Sequence, residues 1–78
     1  MREEYHIAWV SEMKMWVMKR GDFYLAQPTK KAMVKVGAAH CRDRWRLEGI
    51  KSELIVHLRS GDFKERRTYG KDPTRHKG

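Results

Sequence analysis

The chain is poor in the residues that cross-link a fold or hold a metal. It has one cysteine, Cys41, so no intramolecular disulfide can form. One Cys and four scattered His build no zinc framework, and a single thiol fits a reducing compartment, the cytoplasm. No apolar run reaches membrane-spanning length, and the opening residues Met1-Arg2-Glu3-Glu4-Tyr5-His6 are polar, so neither a membrane span nor a secretory leader is expected. Acidic residues are scarce as well: 10 Asp+Glu stand against 18 Lys+Arg, a formal net charge of +8. Such a balance attracts polyanions, although a basic surface also serves solubility alone. Glycine-rich phosphate loops and metal-binding motifs are missing, so no cofactor is expected.

What is present points to one thin-cored domain spanning residues 1–78. A chain of 78 residues suffices for one domain, and a domain this small buries only about 60% of its unfolded surface. One sheet covered on one face is the expected architecture. Three Trp, three Tyr, two Phe and five Met argue against disorder.

Tyr5 to Val10 is aromatic and β-branched and predicts a strand, as do Met15 to Arg20 and Phe23 to Gln27. Gly21-Asp22 between the last two suits a type II′ hairpin, whose first central residue needs φ > 0. Pro28-Thr29 ends the third strand, and Thr29 can cap a helix from Lys30 to about Leu47. Met33, Val36, Gly37, His40 and Leu47 share one helical stripe, and Lys31, Lys35, Arg42 and Arg46 the opposite one. Arg44 falls near the apolar stripe, where its stem can snorkel outward. Gly49 suits a helix stop. Glu53 to Ser60 and Phe63 to Tyr69, around Gly61-Asp62, predict a second hairpin, and residues 69–78 a partly flexible tail. The expected fold class is α+β, ordered β-β-β-α-β-β, an antiparallel sheet with one helix packed on one face.

Several of these residues form a wider pattern: Trp16-Val17-Met18-Lys19, Thr29, Glu53-Leu54-Ile55-Val56-His57, Gly61-Asp62, Tyr69-Gly70-Lys71-Asp72-Pro73 and Lys77-Gly78. In these motifs the chain resembles a family of small bacterial and phage proteins, the domain of unknown function numbered 2188. The likeness spans nearly the whole chain and is most specific from Glu53 to Gly78. The helix departs from it: Gly37 and Trp45 stand where the family is rich in Ala, Glu and Lys. The resemblance implies the fold and brings no activity and no catalytic residues.

Register decides which residues share a face. A two-residue turn at Gly61-Asp62 would pair Arg59 with Lys64, His57 with Arg66 and Ile55 with Thr68, leaving Leu54, Val56 and Leu58 on the core face. Glu65 and Arg67 then fall on that same side, which calls either for an edge pair or for a turn longer than two residues. The same turn at Gly21-Asp22 pairs Met18 with Leu25 and Trp16 with Gln27 on the core side. The solvent face would then carry Lys19, Tyr24, His57, Arg59, Lys64 and Arg66. Cations interleaved with an aromatic suit nucleic acid, because they neutralise phosphates while a ring stacks on a base. The bland alternative is a sheet showing charge to water. The stripe Lys31, Lys35, Arg42 and Arg46 is a second basic surface, and Arg66, Arg67, Lys71, Arg75, His76 and Lys77 a third.

Catalysis is not expected. His6, His40, His57 and His76 lack a Ser, Cys or carboxylate partner at a motif spacing. A cross-strand His57–Arg66 pair would resemble small ribonucleases. Cys41 reads as a packing residue. Of the three tryptophans, one is expected to be exposed, because so thin a core cannot enclose three indoles. Two functions stand side by side: nucleic-acid binding through a basic sheet face and tail, and a protein-interaction module such as a phage- or prophage-encoded modulator of a host protein.

Overall fold

The Gly21-Asp22 turn forms as its residues require. In a computed structural model, which describes residues 2–70, Gly21 has φ 57°. It joins β2 (Met15–Arg20) to β3 (Phe23–Gln27), with Met18 opposite Leu25, Trp16 opposite Gln27 and Lys19 opposite Tyr24. β1 (Glu3–Val10) pairs antiparallel with the other side of β2. Thr29 then caps α1 (Lys30–Glu48), its hydroxyl accepting from the Ala32 N–H. Gly49 ends the helix in the left-handed region, its N–H donating to the Trp45 carbonyl.

β4 (Ser52–His57) and β5 (Phe63–Tyr69) complete a five-stranded sheet in the order β3-β2-β1-β4-β5. The sheet is mixed rather than purely antiparallel, because β1 and β4 run parallel at its centre. The cause is the helix. Two hairpin turns leave β3 pointing the same way as β1; α1 carries the chain back, and β4 starts again in that direction.

The core lies between α1 and one face of the sheet. Tyr5, Ile7, Trp16, Met18, Met33, Cys41, Leu54 and Val56 form it. Strand residues alternate cleanly across the sheet, so Val17 and Ile55 are buried on the opposite, helix-free face, packed outside that cluster. Leu47, expected on the buried stripe, is 69% exposed, because it lies in the last turn of the helix, and Arg44 takes the inward position there. The Arg44 guanidinium donates from Nε and Nη2 to the two Glu3 carboxylate oxygens at 2.8 and 2.7 Å. This fork ties the end of α1 to the start of β1. Trp45 is the exposed indole, Trp9 half-buried and Trp16 buried.

Two glycines are required by space. A Cβ on Gly37 would lie 2.7 Å from the Met18 sulfur and 3.3 Å from both Ile7 and Leu54, so the helix touches the sheet there with its backbone. A Cβ on Gly70, already at φ 95°, would lie 2.9 Å from Lys51 and 3.0 Å from Trp45. Arg2 donates to the carbonyls of Tyr69 and Gly70 at 2.8 and 2.9 Å, so the end of β5 is fixed from across the sheet. Tyr69 is thus part of the fold and not of a tail, and residues 71–78 lie outside the described residues.

The β4–β5 pairing differs from a two-residue hairpin. Ile55 lies opposite Arg66, Glu53 opposite Thr68 and Val56 opposite Glu65; the register then shifts, and His57 faces Phe63. Arg59, Ser60 and the Gly-Asp pair belong to a five-residue connection, closed by Leu58 N–H to the Asp62 carbonyl at 2.7 Å and Gly61 N–H to the Leu58 carbonyl at 2.8 Å. Arg59 is therefore not paired with Lys64, nor His57 with Arg66, nor Ile55 with Thr68. Leu58 is exposed at the rim instead of buried in the core. The two-residue shift preserves parity, so Leu54 and Val56 keep their core face.

Gly37→Ala gains roughly 1 kcal/mol of helix propensity but overpacks a sealed contact, which costs about 1–3 kcal/mol. We expect a net loss of stability and a melting temperature lower by several degrees, with Gly37→Leu unfolded at room temperature. Thermal melts by circular dichroism measure both.

Candidate nucleic-acid interface

The helix-free face carries a transverse row. Tyr24, Lys19, His6, Ile55 and Arg66 lie side by side across all five strands. Lys19 and Arg66 stand three strands apart, about 14 Å. The next row, Glu4, Glu53 and Thr68, is acidic, and the Arg66 Nε lies 3.6 Å from a Glu53 oxygen. This face therefore has fewer uncompensated cations than the sequence suggested.

His57 has an unexpected neighbour. The parallel β1–β4 pairing sets it beside His6, the rings stacked with centroids 5.3 Å apart and His6 Nδ1 3.0 Å from His57 Nε2. His57 Nδ1 lies 3.2 Å from the Gly61 carbonyl, which can only accept. The proton of a neutral His57 is thus on Nδ1, and its Nε2 accepts from His6 Nδ1–H. Glu4 lies 3.8 Å from His6 Nε2. The ribonuclease-like His57–Arg66 pairing does not form, and no cluster of three metal-ligating side chains exists among the described residues.

Two of the six candidates lie on the other side of the sheet. At the register shift Lys64 is the extra residue between the Val56–Glu65 and His57–Phe63 pairs. Such a bulge re-aims side chains. Lys64 accordingly lines a cleft of about 500 Å³ on the helix side, together with Lys30, Lys31, Val34, Val56, Glu65 and Arg67. Glu65 and Arg67 form an ion pair on this face. The Arg67 guanidinium beside Glu65 holds its carboxyl below the usual range, and Lys64 adds to that effect. Arg59 folds over the Trp9 ring at 4.2 Å, on the core side. Trp9 meets Trp16 edge-on at 5.7 Å, and the Lys30 ammonium lies 5.7 Å from the centre of the Trp16 ring. Arg59, Trp9, Trp16 and Lys30 thus form a cation–aromatic ladder that leads to the cleft.

The helix stripe is exposed at Lys31, Lys35, Arg42 and Arg46, as its spacing requires. Only Lys31 joins another cationic surface, and Arg46 is paired with Asp43 at 2.8 Å. Of the third basic surface, Lys71, Arg75, His76 and Lys77 lie outside the described residues.

A polar network fills the opposite end of the helix–sheet interface. The His40 ring contacts the Tyr5 hydroxyl at 3.3 Å, that hydroxyl donates to Glu3 at 2.9 Å, and Glu3 holds Arg44. Burial, reinforced by Glu3, pushes Tyr5 up to about 12. Burial lowers His40, the Arg44 charge adding to it, and the Arg44 hydrogen bond lowers Glu3. Tyr5 is thus a fixed donor and His40 a neutral spacer, an arrangement that locks α1 to β1. Burial also pushes the Cys41 thiol up, away from nucleophilic use.

Sequence reasoning missed Lys30 and His6 as site residues, and it counted Arg67 with the basic tail; Lys30, Arg67 and His6 all needed the tertiary arrangement. The meeting of Lys30 with Arg67 required the placement of α1 over β5, and that of His6 with His57 the parallel pair, which no local signal announces. Compared with known protein-family models, curated proteins and solved structures, the chain matches none.

The network makes stability pH-dependent in a definite direction. Lowered native values mean that the unfolded chain binds more protons, so stability falls as pH drops below 6.5 for His40 and again below 4.5 for Glu3. His40→Gln should flatten the upper step and Glu3→Gln the lower one. Urea titrations from pH 8 to pH 3 read both slopes.

Proposed function

We propose that this protein is a nucleic-acid-binding module, acting in the cytoplasm, that meets the phosphate backbone at its cationic end rather than across the helix-free sheet face. One observation carries the reading: Lys30 and Lys31 from α1, Arg59 from the β4–β5 connection and Lys64 and Arg67 from β5 gather around one cleft and its adjoining ladder, where Glu65 is the one carboxylate lining the cleft. Like charges drawn from three elements repel one another, and a polyanion relieves that repulsion while releasing its counterions. Trp16 is buried and Trp9 half-buried, so their role is to hold Lys30 and Arg59 in place. Affinity would then come from charge and not from base stacking, with little sequence preference.

The alternative is a protein-interaction module, favoured by exposed Leu58, which opens the β4–β5 connection, and exposed Phe63, which follows it. It differs in its salt dependence, because apolar docking survives salt that abolishes phosphate binding.

Fluorescence anisotropy of labelled single- and double-stranded DNA and RNA across a salt series decides between them. We expect dissociation constants in roughly the micromolar range at low salt, with a steep salt slope. Arg59→Ala with Lys64→Ala should lower that slope by about two, whereas Lys19→Ala with Arg66→Ala should change it little. The reverse ranking would return the interface to the sheet face, and no binding at low salt would leave the protein-interaction reading.

A further inference from the structure

We propose that the cleft between α1 and β5 receives a terminal phosphate, the monoester at the end of a nucleic-acid strand; this rests on the nucleic-acid reading above. The charge of the cleft exceeds what an internal phosphate needs. Lys30, Lys31, Lys64 and Arg67 line it against Glu65 alone, so several cations remain unbalanced. A backbone diester brings one negative charge, while a monoester brings about −1.5 to −2 at neutral pH and three acceptor oxygens. Arg67 and Lys64 are both held at Glu65, and Lys30 lies over the Trp16 ring, so the cleft presents a partly ordered set of donors with Lys31 at its exposed rim.

The shape agrees with the charge. A cleft of about 500 Å³ has room for a phosphate with its sugar. Its lining also includes the half-buried Val34 above the buried Val56, apolar surface that suits the carbon skeleton of a ribose and offers nothing to a second phosphate. Beyond the cleft, the ladder from Lys30 to Arg59 supplies the next cation along, where the following backbone phosphate would lie. The β5 bulge is the device that builds the site. With regular pairing Lys64 would point to the helix-free face, as sequence alternation predicts, and the cleft would lose one of its three lysines.

The test compares one oligonucleotide sequence with hydroxyl ends, with a 5′-phosphate and with a 3′-phosphate, and includes a nucleoside monophosphate as competitor, all with the full chain. One phosphorylated form should bind about tenfold tighter than the hydroxyl form. Lys31→Ala and Lys64→Ala, both at exposed positions, should reduce that ratio towards one, with folding verified by circular dichroism. Glu65→Gln should raise the affinity for the phosphorylated form, an effect that damage to the fold would not produce. Equal binding of all ends would overturn the terminal-phosphate inference and leave the nucleic-acid reading standing. No binding of any oligonucleotide would overturn both. A mononucleotide that binds as tightly as the phosphorylated strand would assign the cleft to free nucleotides and remove the strand from the proposal.

Discussion

The backbone contact at Gly37 sets the geometry of everything else. With no side chain there, α1 descends onto Ile7, Met18 and Leu54 from three neighbouring strands, β1, β2 and β4. Those three residues are fully buried and bring the central strands under a single point of the helix. A larger residue would lift the helix off the sheet. The Arg44–Glu3 fork would then separate at one end, and the cleft beside β5 would widen at the other. A glycine in mid-helix costs about 1 kcal/mol against alanine, and the close packing offsets it.

Around that contact the two ends of the helix do different work. The C-terminal end is stitched by hydrogen bonds: Arg44 and the Tyr5 hydroxyl both donate to Glu3, the His40 ring meets that hydroxyl, and Arg2 holds the end of β5. Arg44 is paired there with both Glu3 and Glu48. At the N-terminal end, over β5, four cations collect around an open cleft against one carboxylate, Glu65. A small domain with a thin core has little stability to spare, so the charge asymmetry is informative: one end is satisfied internally and the other is left for a partner.

The register shift in β5 links fold and surface. It follows from a connection of five residues where the Gly-Asp pair suggested two. The longer connection lets Arg59 reach back over Trp9 and turns Lys64 towards α1. The same change removes both residues from the sheet face, where alternation alone would have put them. Lys19 and Tyr24, on the hairpin with the regular turn, remain where alternation places them.

Local chemistry was legible in the sequence because it depends on neighbours a few residues away. The Gly21-Asp22 turn and the register of β2 with β3, the Thr29 cap, the Gly49 stop and the alternation that buries Leu54 and Val56 all follow from short-range sterics and hydrophobic period. Arg44 and Leu47 were harder, since the helical stripe drifts, and the final turn buries whichever residue meets Glu3. Residue order alone is enough for the elements, the basic balance and the apolar strand faces. The packing of distant segments is what sets β4 parallel to β1, brings His6 to His57, and makes Lys30, Lys31, Lys64 and Arg67 converge on one cleft. The physical reason is range: pairing across a helix crossover and the aim of a bulged side chain are settled by how distant segments pack, and no local propensity encodes either.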